Sequence, residues 1–324
     1  MKYLFFDIEC AGVFKNVAKI CAFGYCLTDE QFNILEMKDI LINPKGGFHL
    51  TDRKGERGLV LPYQYDAFKQ YPTFPEYADK IYALLQDKDT VVAGHATMND
   101  VKYLNLETNR FSLPSFEFSF ADTQFLYMSK IGDFSRQFAL GTIAQDLGVE
   151  FTAHRAVDDA YATMKIAEAI CREEGCSFPD LLAKYQVELG RISGYEITQI
   201  TSVAHQKYLV QQQKRREQRE QNRIAFHAFV DKAKRNRDKN GKWAGKRVCF
   251  SHVIEQDLET AKRLVSAIVS LGAFYSFRAE ESDYYVHLEG ESGQRLLAVQ
   301  QTKTVPFSLE VFQEMLKKAG AWTD

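Results

Sequence analysis

No apolar run in the 324-residue chain approaches the roughly 18 residues that a membrane-crossing helix needs, which excludes a helical membrane protein. An apolar leader is missing too: Met1 is followed directly by the strand-like Lys2 to Ile8, so the expected location is cytoplasmic. Cysteine is sparse, and Cys10, Cys21, Cys26, Cys171, Cys176 and Cys249 form no Cys-x-x-Cys pair and no zinc-like Cys/His spacing. That argues against structural zinc and for reduced, mostly buried thiols. The formal net charge is only −2, so neither sign dominates the chain as a whole. What remains is 45% hydrophobic and 26% charged, enough for two domains with their own cores.

Against this background a few acidic residues stand out. Lys2 to Ile8 is apolar, aromatic and β-branched and reads as a buried strand, on which residues two apart share a face. Asp7 and Glu9 therefore project together. Two carboxylates that close repel by several kcal/mol, a cost that a hard divalent cation with a preference for oxygen removes. A second strand at Thr90 to Gly94 leads through His95 into a helix whose first turn holds Asp100. A third element, Phe151-Thr152-Ala153-His154-Arg155-Ala156-Val157-Asp158-Asp159, runs into a helix with apolar Tyr161, Met164, Ile166, Ala167 and Ile170. Asp158 reads as a first-turn residue favoured by the helix dipole, pointing about 100° away from Asp159.

These three elements in order resemble the motifs of the DEDDh, or DnaQ-like, 3′→5′ exonucleases, over about residues 1 to 175. The run Leu140 to Val149 and the pair Asp122-Thr123 also fit. A sister group carries a Tyr four residues before the last Asp. Here that position is Arg155 and a His lies five before, which selects the His branch. The chain departs from the family pattern at Ala96, where Asn usually follows the His, at Asn99, where an aromatic usually precedes the Asp, and at Cys10, where Thr is common. The resemblance implies two divalent cations, Mg²⁺ or Mn²⁺, with Asp7 bridging them, Glu9 and Asp159 completing one site and Asp100 supporting the other. It implies His154 as general base, and places Cys10, Ala11 and His95 near the substrate.

The strands at Lys2 to Ile8, Val17 to Thr28 and Phe32 to Ile42, with short connections, predict an antiparallel meander, and the later alternation of strands and helices predicts parallel strands. Together they give the mixed sheet of the RNase H-like α/β fold. Lys45 to Gln70 interrupts the pattern: Asp52 to Gly58 is basic and glycine-containing, and Tyr63, Tyr65, Phe68 and Tyr71 follow. Basic groups beside aromatics suit a single-stranded 3′ end, and the alternative is a surface excursion whose aromatics pack onto the sheet.

From His205 to Arg247 there are 14 Lys or Arg against 4 Asp or Glu. A run from Gln211 to Gln221 lacks Gly and Pro and reads as a helix, with Lys214, Arg215 and Arg216 as candidate phosphate contacts. The order of elements beyond it resembles a BRCT domain, through Gly245-Lys246-Arg247-Val248-Cys249-Phe250-Ser251, a helical stripe from Leu258 to Leu271 closed by Gly272, and Val305-Pro306-Phe307-Ser308 before a helix capped by Ser308. By that resemblance Ser251 and Arg295 are candidate phosphate contacts, although His252 stands where a Gly is expected. The expected organisation is thus an exonuclease domain at 1–176, a basic helical connector at 177–240 and a BRCT-like domain at 241–324. The expected activity is removal of nucleotides from 3′ ends of single-stranded nucleic acid, DNA favoured over RNA, with a replication or repair protein as a further partner and no membrane. RNA trimming and a non-catalytic nucleic-acid scaffold are the alternatives.

Overall fold

The computed structural model describes residues 1–50, 61–150 and 155–323. Asp52 to Gly58 and Phe151 to His154 lie outside the described residues. Two compact units divide the chain at Leu209 and Val210.

In the first unit β1 (Lys2–Phe14), β2 (Val17–Asp29) and β3 (Ile34–Leu41) form the antiparallel meander that their short connections predict. There follow α1 (Phe74–Leu85), β4 (Thr90–Gly94), α2 (Met98–Arg110), β5 (Phe118–Asp122), α3 (Thr123–Ile131), α4 (Leu140–Asp146), α5 (Ala156–Glu174) and α6 (Phe178–Lys184). Short strands β6 (Val187–Glu188), β7 (Gly190–Ser193), β8 (Glu196–Thr198) and β9 (Thr201–Ser202) lead into α7 (Val203–Ala233). β4 and β5 run parallel to β1, and the β7–β8 hairpin closes the far edge antiparallel. The result is a seven-stranded mixed sheet in the order β3-β2-β1-β4-β5-β7-β8, the mixed sheet expected of an RNase H-like fold.

Strand alternation sorts the two faces. Tyr3 and Phe5 pack with Met164, Ile166 and Phe178, whereas Leu4, Phe6 and Ile8 pack with Phe74, Ile81, Val101 and Leu104. Helices on both faces are why the strand reads apolar at every position from Tyr3 to Phe6. β1 also runs well past the expected end at Ile8, reaching Phe14 with shifts of register beside Glu9 and Cys10. Such irregularities bend a strand and re-aim its side chains next to sites.

In the second unit β10 (Arg247–Phe250), α8 (His252–Gln256), α9 (Leu258–Ser270), β11 (Phe274–Tyr275), β12 (Tyr284–His287), α10 (Gln294–Val299), β13 (Val305–Ser308) and α11 (Leu309–Ala319) build an all-parallel sheet in the order β11-β10-β12-β13. Pro306, which has no N–H to give a ladder, sits in the edge strand. The predicted stripe on α9 buries Ala261, Leu264, Val265 and Ile268 with Phe312 and Leu316 of α11, and Cys249, Tyr285 and Val299 form a smaller cluster. Gly272 ends α9 at φ +90, with a would-be Cβ 2.5 Å from the Asp238 carbonyl oxygen. Ser308 caps α11 through Oγ, which accepts from Val311 N.

The expected connector at 177–240 needs correction. Phe178, Leu181 and Leu182 belong to the first core, Gly190–Ser193 extends its sheet, and Phe226, Val230 and Ala233 enter the second core. Few apolar residues are needed when they fall three and four apart on one helix face, which is why the basic composition hid them. Only residues 203–225 of α7 keep a connector's character, with no residue buried. The six cysteines are free, and four of them are buried. No helix of the described residues is long and apolar enough to cross a membrane.

Candidate active site

The face of β1 that carries Tyr3 and Phe5 also carries Asp7 and Glu9, beyond the point where apolar packing ends. α5 crosses β1 and β2 and delivers Asp159 to the same place. Carboxylate oxygens of Asp7, Glu9 and Asp159 lie within 4.8 Å of one another. Asp100, buried in the first turn of α2, shares a cleft of about 450 Å³ with Asp7, Glu9, Cys10, His49, His95, Asn99 and Tyr103.

The electrostatics follow from that crowding. Burial, followed by repulsion from Asp100, Glu9, Asp159 and Asp39, holds the Asp7 carboxyl well above the usual range. Burial and the charges of Asp159 and Asp39 push Glu9 up to about 8. Asp100 is likewise raised well above its usual value, chiefly by burial, although a backbone hydrogen bond from Ile8 works the other way. Three carboxylates that would rather hold protons than charge, with Asp159 beside them, fit a divalent cation, which supplies the missing positive charge and takes oxygen donors.

The supporting residues are as specific. The Asp122 carboxylate accepts from the N–H groups of Ala96, Thr97, Gln124 and Phe125, and so ties the turn before α2 to the start of α3. This fixes Ala96 at φ +52, an uncommon conformation for a residue with a Cβ, and accounts for how the chain manages with Ala96 at a position where the family resemblance leads one to expect Asn. Gly24 stands opposite Asp7 in the β1–β2 register. A Cβ there would lie 2.0 Å from the Ala156 carbonyl carbon, so only glycine lets the first turn of α5 approach β2. A glycine inside the apolar Phe23-Gly24-Tyr25 was a readable sign of such an approach, and sequence reasoning missed it.

The other candidates separate. Cys10 lines the cleft, and burial pushes its thiol up, away from thiolate chemistry. Ala11 is fully buried against Cys21, Leu50, Leu61 and Phe68, and only its backbone is engaged, its carbonyl accepting from His49 N at 2.6 Å. His95 was expected near the substrate, but both its ring nitrogens are spent on protein partners: Nε2 is 3.1 Å from the Phe138 carbonyl oxygen and Nδ1 3.1 Å from Thr123 Oγ1. Burial lowers the imidazole to about 4 and so keeps it neutral. A carbonyl can only accept, so Nε2–H donates to Phe138 and Nδ1 is left as an acceptor facing the Thr123 hydroxyl, whose one proton is shared with the Gly94 carbonyl at 3.2 Å. His95 therefore clasps the turn before α2. Lys214, Arg215 and Arg216 are exposed on the part of α7 assigned to the second unit. Ser251 is fully buried, its Oγ accepting from Ile254 N to cap α8, and Arg295 is held by Glu255 Oε1 and the Phe250 and Phe277 carbonyls, so both are engaged inside the unit.

The profile of a family described as exonuclease, RNase_T, matches residues 4–167. The chain belongs to the exonuclease family. Among solved structures it is similar to a 3′-exonuclease described in recognition of a histone mRNA stem-loop, with 14% identity and a TM-score of 0.48 over 62% of this chain and 71% of that one. It is similar to E. coli exonuclease I in complex with a dT13 oligonucleotide, with 18% identity and a TM-score of 0.45 over 57% of this chain. The match spans 42% of that exonuclease I chain, less than half of its length. No curated protein matches the chain at a significant level.

Proposed function

We propose that this member of the exonuclease family is a metal-dependent 3′→5′ exonuclease of the DEDDh type that releases 5′-mononucleotides from single-stranded DNA. The observation that carries the reading is the convergence of Asp7, Glu9 and Asp159 to within 4.8 Å beside the buried Asp100. Two Mg²⁺ or Mn²⁺ ions would be held by Asp7, contributing to both, by Glu9 and Asp159 at one and by Asp100 at the other. When bound, such a pair supplies activation of the attacking water and neutralisation of charge at the leaving 3′ oxygen.

The chain's own residues do the rest. His154 takes the proton from the attacking water, a role suited to an imidazole titrating near neutral pH and worth about 10² to 10⁴ in rate. Asp122 and His95 hold the turn before α2 and so fix Asp100, while Gly24 lets α5 come close enough to bring Asp159 to β1. Tyr103 and His49 line the same cleft and offer rings to a terminal base.

For the second unit the reading is a BRCT-like module that docks DNA or a replication or repair protein. The four parallel strands in the order β11-β10-β12-β13 support it. The internal engagement of Ser251 and Arg295 speaks against phosphopeptide binding. Exposed Lys214, Arg215 and Arg216 suit the phosphates of a polyanion outside the cleft.

The test is release of mononucleotides from a 5′-labelled oligonucleotide, DNA and RNA side by side, with Mg²⁺ or Mn²⁺. Chelation, Asp7→Ala and His154→Ala should each abolish or cripple it. Products shortened from the 5′ end, or hydrolysis that persists in chelator, would overturn the proposal. Degradation of RNA alone would transfer the same chemistry to RNA trimming.

A further inference from the structure

α5 begins without a side-chain cap. Arg155, at its N-cap position, accepts through its carbonyl from Asp158 and Asp159 N–H, but offers no side-chain acceptor to the first turn. The first N–H of the helix, that of Ala156, is instead met by a residue 93 positions away: it donates to Tyr63 Oη at 3.1 Å. The same phenol donates to Asp39 Oδ2 on β3 at 3.0 Å. Its ring packs edge-on to Phe68, 5.6 Å between centroids. Arg155 approaches Asp39 to 3.8 Å and Asp158 to 3.6 Å, distances that leave these pairs loose.

A phenol whose proton is committed to a carboxylate presents its oxygen lone pairs in one direction, and a helix N-terminus favours an oriented acceptor. We infer that Tyr63, oriented by Asp39, acts as a surrogate cap for α5 and is a positioning residue for Asp159, holding its carboxylate in register with Asp7 and Glu9. The geometry makes this consequential because Asp159 lies three residues, less than one helical turn, from the tethered Ala156. Gly24 brings the backbone of Ala156 against β2 but provides no hydrogen bond to set its rotation, and the phenol supplies one. Of the two readings open for the aromatics of the 45–70 segment, base stacking and packing against the sheet, Tyr63 follows the second, facing inward to Asp39 and the first turn of α5.

The inference rests on the metal-site reading above, and its test keeps the two apart. Mn²⁺ binding to the full chain, without nucleic acid, is followed by electron paramagnetic resonance for the wild type, Tyr63→Phe and Ala156→Pro. Phenylalanine retains the packing on Phe68 and removes only the hydroxyl. Proline at the first helical position removes the N–H from the other side, and the extended conformation of Arg155, φ −111 and ψ 128, is one that a following proline accepts.

Loss of a group that orients a metal ligand typically costs 10- to 100-fold in metal affinity. Tyr63→Phe should therefore shift the Mn²⁺ midpoint at least about tenfold. Ala156→Pro should reproduce the shift, and the double variant should add nothing beyond Tyr63→Phe, since the bond from the Ala156 N–H is common to both deletions. Exchange of the Ala156 amide should accelerate in Tyr63→Phe. An unchanged midpoint in Tyr63→Phe, with only a lower melting temperature, would overturn the inference, as would additive shifts. If Ala156→Pro does not fold, the Tyr63→Phe isotherm and the amide exchange decide alone. Failure of the wild type to bind Mn²⁺ would count against the metal site itself and leave no role for Tyr63 in it.

Discussion

Glu9→Gln should make the metal-free protein more stable at alkaline pH while removing its activity. In the fold Glu9 is pushed from an ordinary 4.5 to about 8 by burial and by Asp159 and Asp39. Below pH 4.5 it is protonated both folded and unfolded, and it costs nothing. As pH rises from there the unfolded chain releases the proton while the folded one retains it, so stability falls through the window and the cost of Glu9 reaches its full value above about 8. At about 1.4 kcal/mol per pH unit the ceiling is roughly 5 kcal/mol. Glu9 is partly open to the cleft, and solvent screening reduces the expected loss to about 2 kcal/mol. Glutamine carries no charge, so Glu9→Gln should flatten the dependence by that amount. Divalent ion should restore the wild type, by about 2.7 kcal/mol at a hundredfold excess over Kd, and restore the variant far less.

The readout must be chosen with care. Both tryptophans, Trp243 and Trp322, lie in the second unit, so their fluorescence follows that unit and is blind to the first. Tyrosine near-UV circular dichroism or amide exchange along β1 reports the site, and tryptophan fluorescence serves as the internal control. Metal-free unfolding of the first unit that is level between pH 5 and 8, or a Glu9→Gln protein that follows the wild-type curve, would refute the electrostatic account.

Gly24→Ala should lose most of its hydrolysis and Mn²⁺ binding, because a Cβ 2.0 Å from Ala156 forces α5 and Asp159 away from β1. Overpacking of this kind costs about 1 to 3 kcal/mol, which denaturant titration would register. Ala96→Gly should raise stability by up to about 1 kcal/mol, since φ +52 strains any residue with a Cβ, and a destabilised variant would contradict that reading. Replacing Lys214, Arg215 and Arg216 together with Gln should weaken binding of single-stranded DNA and lower the slope of log K against log salt by up to about 2. Turnover on oligonucleotides too short to leave the cleft should stay unchanged, and an equal loss there would place those cations in the catalytic unit's own work.

Much of the first unit was legible because its signals are local. The meander is visible in Lys2 to Ile42, and the shared face of Asp7 and Glu9 follows from the two-residue period of a strand. The α9 stripe and the Ser308 cap in the second unit are equally local. The limits of the connector were not legible, since Phe226 and Val230 sit in a basic stretch and declare their burial only when α9 and β10 are there to receive them. His95 was placed near the substrate by the family resemblance. Only the positions of Phe138 and Thr123, distant in the chain, commit both its nitrogens.

The sequence by itself determined the inventory: which carboxylates exist, which strands and helices carry them, and which face each one points from. Tertiary structure alone decided that Asp159 meets Asp7 and Glu9, because that requires α5 to lie on β2 without an intervening side chain at Gly24 and to be held at its first N–H by Tyr63. Periodicity is written in neighbours along the chain, whereas the sharing of charge by buried carboxylates depends on distances between residues more than a hundred positions apart, and those distances exist only once the sheet and its helices have packed.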